Sequence, residues 1–158
     1  MILKLSLAHC QMCTGKGGWD MAAILKSPCQ VEEFLRQVRE ILKKEECVII
    51  NVEQWADGRE NKTRTYMAEK NFSRSDIIKV LQKLQVKHYA YTEEDRNKNF
   101  AGQEVWFLGI TECMVDDVEA LYIKLKIITL DEDYVKVMSF HPERPSQSEE
   151  KLTFPYSA

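Results

Sequence analysis

Three side chains near the C-terminal end, Tyr122, Lys124 and His141, sit close enough in sequence to share one piece of sheet. Histidine titrates near neutral pH and can pass a proton in either direction. Lysine is a compact positive charge that suits a phosphate. A tyrosine phenol donates a hydrogen bond. Cutting RNA without a metal requires a base for the 2′-hydroxyl, an acid for the leaving 5′-oxygen and a cation for the charge that builds on the phosphoryl oxygens. These residue types cover that list. Lys126 extends the positive stretch, Arg96 is a candidate phosphate contact, and Tyr89 and Trp106 are candidate platforms for an unpaired base. Taken singly, each has a plainer reading. His141 is a strand-end residue, the lysines are a solvated strand face, Tyr122 is a cross-strand packing group and Trp106 is half-buried core.

The elements that would carry these groups follow from periodicity. In "VEEFLRQVREILKK" the residues Val31, Phe34, Leu35, Val38, Ile41 and Leu42 fall on one helical face. "CVIINV" (Cys47 to Val52) is a β-branched strand candidate. "TRTYMAEKNF" is a short helix that turns Tyr66 and Met67 inward. Ser73 with Asp76 three residues later is a capping box in front of Ile77, Ile78, Val80, Leu81 and Leu84. "HYAYTEEDRNKNFAGQ" reads as a long polar loop. Three strands close the chain: "EVWFLGITECM", "ALYIKLKIITL" and "YVKVMSF", joined by acidic turns. The order implies an α+β fold, with helices packed on one face of a small antiparallel sheet and a C-terminal three-strand meander.

Alternation within those strands raises a conflict. Tyr122, Lys124 and Lys126 share one face of their strand, opposite Leu121, Ile123, Leu125 and Ile127. If Val135 and Val137 face the core, strict alternation also turns His141 to the core, away from Tyr122. Only a bulge or a strand end at Phe140 would bring the two together.

Composition sets outer limits. The 158 residues are 44% hydrophobic and 30% charged, as in a globular protein. No apolar run approaches the roughly 20 residues that span a bilayer, and no secretory leader is evident, so a cytoplasmic protein without a membrane partner is expected. The net charge of −3 disfavours strong non-specific nucleic-acid binding. Five cysteines, an odd number at irregular spacing, argue against a disulfide framework. Cys47 and Cys113 are expected in the core. Residues 1–30 read as a poorly ordered N-terminal extension to a single domain over 31–158. His9, Cys10, Cys13 and Cys29 form a possible zinc set, and a zinc-dependent regulator is one reading of the chain. A second matching cysteine pair is missing, so no metal or other cofactor is expected.

From Glu33 to Tyr156 the chain resembles the MqsR-type toxins of bacterial type II toxin–antitoxin systems. The resemblance runs through "FLRQVRE", "ENKTRTYMAEKNF", "HYAYTEEDR", "EVWFLG", "LYIKLKI", "VKVMSFHPE" and "FPY", in that order. It implies a RelE-like fold and a metal-independent endoribonuclease, an mRNA interferase that cuts single-stranded mRNA through Tyr122, Lys124 and His141. It also implies a cognate antitoxin protein, with DNA reached only through that antitoxin. Two positions depart from the family pattern: His141 stands where better-known members carry lysine, and those members carry a glutamine near the position of Phe107. A non-catalytic antitoxin- or RNA-binding protein on the same fold is the alternative.

Overall fold

The computed structural model describes residues 23–143 and 151–158. Helix α1 (Pro28–Leu42) starts on a capping box in which the Ser27 hydroxyl accepts from the Gln30 N–H and the Gln30 side chain accepts from the Ser27 N–H. Its buried stripe is Val31, Phe34, Leu35, Val38 and Leu42, the face that helical periodicity marks. Strand β1 (Val48–Ile50) follows, then helix α2 (Lys62–Lys70) with Asn61 as N-cap. Helix α3 (Arg74–Gln82) begins where Asp76 accepts from the Ser73 N–H at 2.8 Å, and it buries Ile77, Ile78, Val80 and Leu81. Strands β2 (Tyr89–Glu94), β3 (Glu104–Met114), β4 (Asp117–Thr129) and β5 (Asp133–Pro142) follow.

Among the described residues the fold is α+β, with three α-helices and one open five-stranded sheet in the order β1-β5-β4-β3-β2. Strands β3, β4 and β5 form the expected meander. The sheet is mixed rather than wholly antiparallel, because β1 pairs with β5 in parallel, Val48 opposite Val135 and Ile50 opposite Val137. Tyr89 to Glu94, expected as loop, is an edge strand against β3. Aromatic side chains there pack on both faces of the sheet, which outweighs the polar sequence that follows. Ordered structure also reaches back before residue 30. Ile24 exchanges two backbone hydrogen bonds with Thr92, and the Tyr156 hydroxyl donates to the Lys26 carbonyl at 2.6 Å. Cys47 is buried as expected, whereas Cys113 is exposed.

The main core lies between the helices and one face of the sheet, around Phe34, Leu35, Ile77, Leu108, Ile123, Leu125, Val137 and Phe140. A smaller apolar cluster on the opposite face joins Val105 and Phe107 to Leu152 and Phe154 of the C-terminal segment. Gly109 permits that segment to dock. A Cβ there would lie 2.7 Å from the Phe154 ring, closer than side-chain atoms pack.

Lys126 is 1% exposed. Its ammonium donates to Asp95 at 2.7 Å and to Gln103 at 2.8 Å, and it sits 4.1 Å from the centre of the Phe100 ring. The pair pins the 95–103 connection onto the sheet. Burial pushes the Asp95 carboxyl upward, but the hydrogen bonds from Lys126 and from the Asn97 N–H outweigh it and hold the group below the ordinary carboxylate value. A lowered folded-state pKa stabilises the fold above the unfolded value of about 3.9 and loses that contribution as pH falls through the folded value. Lys126→Met should therefore destabilise the protein by about 3–5 kcal/mol at pH 7, because it strands a buried carboxylate. Asp95→Asn combined with Lys126→Met should recover most of that loss and flatten the acid limb of stability below about pH 4. Urea unfolding across pH measures both; equal losses in the single and double variants would contradict this account.

Candidate functional site

Pairing between β4 and β5 shifts register once. Leu125 faces Val137, but Lys124 faces Ser139, so Met138 is an extra residue on β5. This β-bulge resolves the alternation conflict. Val135 and Val137 point into the main core and so does Phe140, while His141 turns to the other face, directly opposite Tyr122. The imidazole and phenol rings stack with centroids 5.1 Å apart and planes 20° apart. Phe140 is held in place from the other side, its N–H donating to the Thr63 hydroxyl at 2.9 Å.

Tyr122, Lys124, Met138, Ser139 and His141 form one wall of a cleft of about 480 Å³, closed by Trp55, Arg59 and residues 60–63. That volume is in the range, roughly 300–1,000 Å³, of sites that enclose a small organic ligand. Among the described lining residues the cations Arg59, Lys62 and Lys124 outnumber the single acid, Glu60. His141 is 6% exposed, and its Nδ1 lies 3.0 Å from the Pro142 carbonyl. A carbonyl only accepts, so Nδ1 carries the proton, and Nε2 is the basic nitrogen of the neutral ring. Lys124 is half-buried, 5.3 Å from the centre of the Phe107 ring, and makes no ion pair among the described residues. Burial lowers its pKa below the usual lysine value. Arg96 and Lys126 push the same way, against Glu93 and Asp95.

An aromatic row fixes this wall. Tyr91, Phe107, Tyr122 and His141 run across β2, β3, β4 and β5, with successive ring centroids 4.3, 6.1 and 5.1 Å apart. Phe107 is 4% exposed and serves as packing between Tyr91, Tyr122 and Lys124.

The sequence-derived RNA contacts fare differently. Tyr89 is fully buried; its hydroxyl lies 2.8 Å from Thr92 Oγ1 and accepts from the Lys26 N–H. A bulge at Ala90 puts Tyr89 and Tyr91 on opposite faces, so Tyr91 carries the aromatic group on the cleft side of the sheet. Trp106 lies flat against Phe34 at 3.9 Å within the core. Neither ring is open to a base, and the buried Lys126 ammonium is occupied by Asp95 and Gln103. Arg96 is exposed, 3.5 Å from Glu93, and close enough to influence Lys124. Trp55, Arg59 and Lys62 lie outside the sequence-derived set, because they fall in or beside an irregular loop with no periodicity. The signal available was a tryptophan and an arginine within a few residues of a glycine turn.

His9, Cys10 and Cys13 lie outside the described residues, and Cys29 is exposed. Among the described residues no cluster of three or more histidine, cysteine or carboxylate groups could hold a metal, and no helix is long and apolar enough to cross a membrane. No protein-family model, curated protein or solved structure matches the chain.

The charges around Lys124 fix the direction of two perturbations. Arg96→Gln should raise the Lys124 pKa, and Glu93→Gln should lower it further, as followed by the pH dependence of the Lys124 ¹³Cε resonance. Shifts in the same direction, or none, would mean that neither side chain faces the ammonium in solution.

Proposed function

We propose that this chain is a metal-independent endoribonuclease of the MqsR toxin type, with a RelE-like domain over 31–158 that a cognate antitoxin protein neutralises. The observation that carries the reading is the convergence of Tyr122, Lys124 and His141 on one cationic cleft. In the proposed reaction His141 Nε2 takes the proton of the 2′-hydroxyl. The 2′-oxygen attacks phosphorus as the bond to the 5′-oxygen breaks, leaving a 2′,3′-cyclic phosphate and a 5′-hydroxyl. Lys124 stands beside the phosphoryl group as counter-charge, and its lowered pKa suits it to hand a proton to the departing 5′-oxygen. Tyr122 donates a hydrogen bond to a non-bridging oxygen. Arg59 and Lys62 supply further positive charge along the path of the backbone.

A non-catalytic RNA- or antitoxin-binding protein is the second reading. It is favoured by the buried Phe107, which stands near the position where the family it resembles carries a glutamine. Incubation of the purified chain with unstructured RNA in excess EDTA separates the two. The nuclease reading expects fragments ending in 2′,3′-cyclic phosphate. Lys124→Ala and His141→Ala should each reduce kcat by about 10²–10⁴, the usual worth of a general acid or base. Cutting by both variants at the wild-type rate would overturn the assignment, and intact RNA bound by the wild-type chain would favour the second reading.

A further inference from the structure

Trp55 has no part in the proposed reaction, yet it lines the same cleft. It is 43% exposed, whereas Trp106 is 8% exposed and packed in the core. Leaving so much indole in water forgoes the burial that stabilises other large apolar groups. The loop that carries it is nevertheless held at both ends. The Asn51 N–H donates to Val137 of β5 at 2.9 Å, and Asn61 Nδ2 reaches back to the carbonyls of Asn51 at 3.2 Å and Glu53 at 2.7 Å. Within the loop the Gly58 N–H closes a turn onto the Trp55 carbonyl at 3.1 Å, with Gly58 in the left-handed region at φ 79°. The Arg59 guanidinium lies 5.5 Å from the centre of the Trp55 ring and is held by Asp57 at 2.5 Å. No other aromatic ring stacks on Trp55 among the described residues.

An indole presented on a tethered loop, backed by a guanidinium and facing a cleft lined by Lys62 and Lys124, matches the two requirements of single-strand recognition. These are a flat surface for a base and positive charge for the backbone beside it. We propose that Trp55, supported by Arg59, stacks an unpaired nucleobase next to the phosphate held between Lys124 and His141. The inference rests on the nuclease reading for the identity of that phosphate, and it makes single-stranded RNA the substrate class. A base locked in an A-form duplex cannot present its face to the indole.

The test uses the full chain and a mixed-sequence octanucleotide. In one form all riboses are 2′-O-methylated, so the strand binds but cannot be cut; a second form is unmodified RNA; a third is an abasic strand of the same length. Trp55→Ala should weaken binding of the methylated strand by about tenfold, a typical loss for one stacked base. It should raise KM for the unmodified RNA with kcat nearly unchanged. Trp55→Phe should retain most of the affinity, and the abasic strand should bind wild type and Trp55→Ala equally. Equal binding of the methylated strand by wild type and Trp55→Ala would overturn the inference. So would an equal loss on the abasic strand, or no binding by the wild-type chain. Should the wild-type chain bind in the expected Trp55-dependent manner without cutting, the stacking site stands and the catalytic reading falls. Should it cut RNA with no dependence on Trp55, the reverse holds.

Discussion

One extra residue in β5 determines what this sheet can present. Side chains on a strand alternate with a strict period of two, so Val135, Val137, Ser139 and His141 would ordinarily share a face. That arrangement would drive an imidazole into an apolar core, where its charged form loses hydration. The bulge at Met138 moves every later residue by one step. Phe140 then fills the core and His141 reaches Tyr122. The cleft, the aromatic row and the proposed chemistry all depend on that single offset. A second bulge, at Ala90, does the same at the far edge, sending Tyr89 inward and Tyr91 onto the row.

Charge is sorted as strictly as the apolar groups are. Lys124 and Lys126 are two residues apart on the same face of β4, yet their surroundings differ completely. Lys126 is sealed beneath Phe100 and paired with Asp95, and it anchors a loop. Lys124 lies against the Phe107 ring, beside the opening, with no carboxylate at ion-pair distance among the described residues. The cationic cleft on a chain of net charge −3 is therefore a matter of placement. The 95–103 connection keeps one lysine out of the cleft and leaves the other at its wall.

Much of the scaffold was legible in the sequence. The stripe of α1, the capping box of α3 and the meander of β3, β4 and β5 each rest on local rules that tertiary contacts reinforced. The meander also placed Tyr122 and Lys124 on one face. The parallel pairing of β1 was hidden, because a three-residue strand does not announce its partner. Strand β2 was hidden because its aromatic start runs into polar residues. The bulges leave no mark in the sequence, which therefore shows neither that Tyr89 turns inward nor that His141 meets Tyr122. Trp106 and Lys126 look the same in sequence whether they serve a ligand or the interior; only Phe34 and Asp95, distant in the chain, decide. Trp55 is hidden for the opposite reason, since an irregular loop has no period to read.

The central claim is that the Met138 bulge turns the His141 imidazole onto the face of Tyr122. Proton–proton NOEs from the His141 ring test it most directly. The account predicts strong cross-peaks to the Tyr122 ring, whose centroid lies 5.1 Å away, and none to the methyl groups of Val135, Val137 or Leu35. Cross-peaks to those core methyls, with none to Tyr122, would place the imidazole beneath the helices and remove the basis for the cleft as a catalytic site.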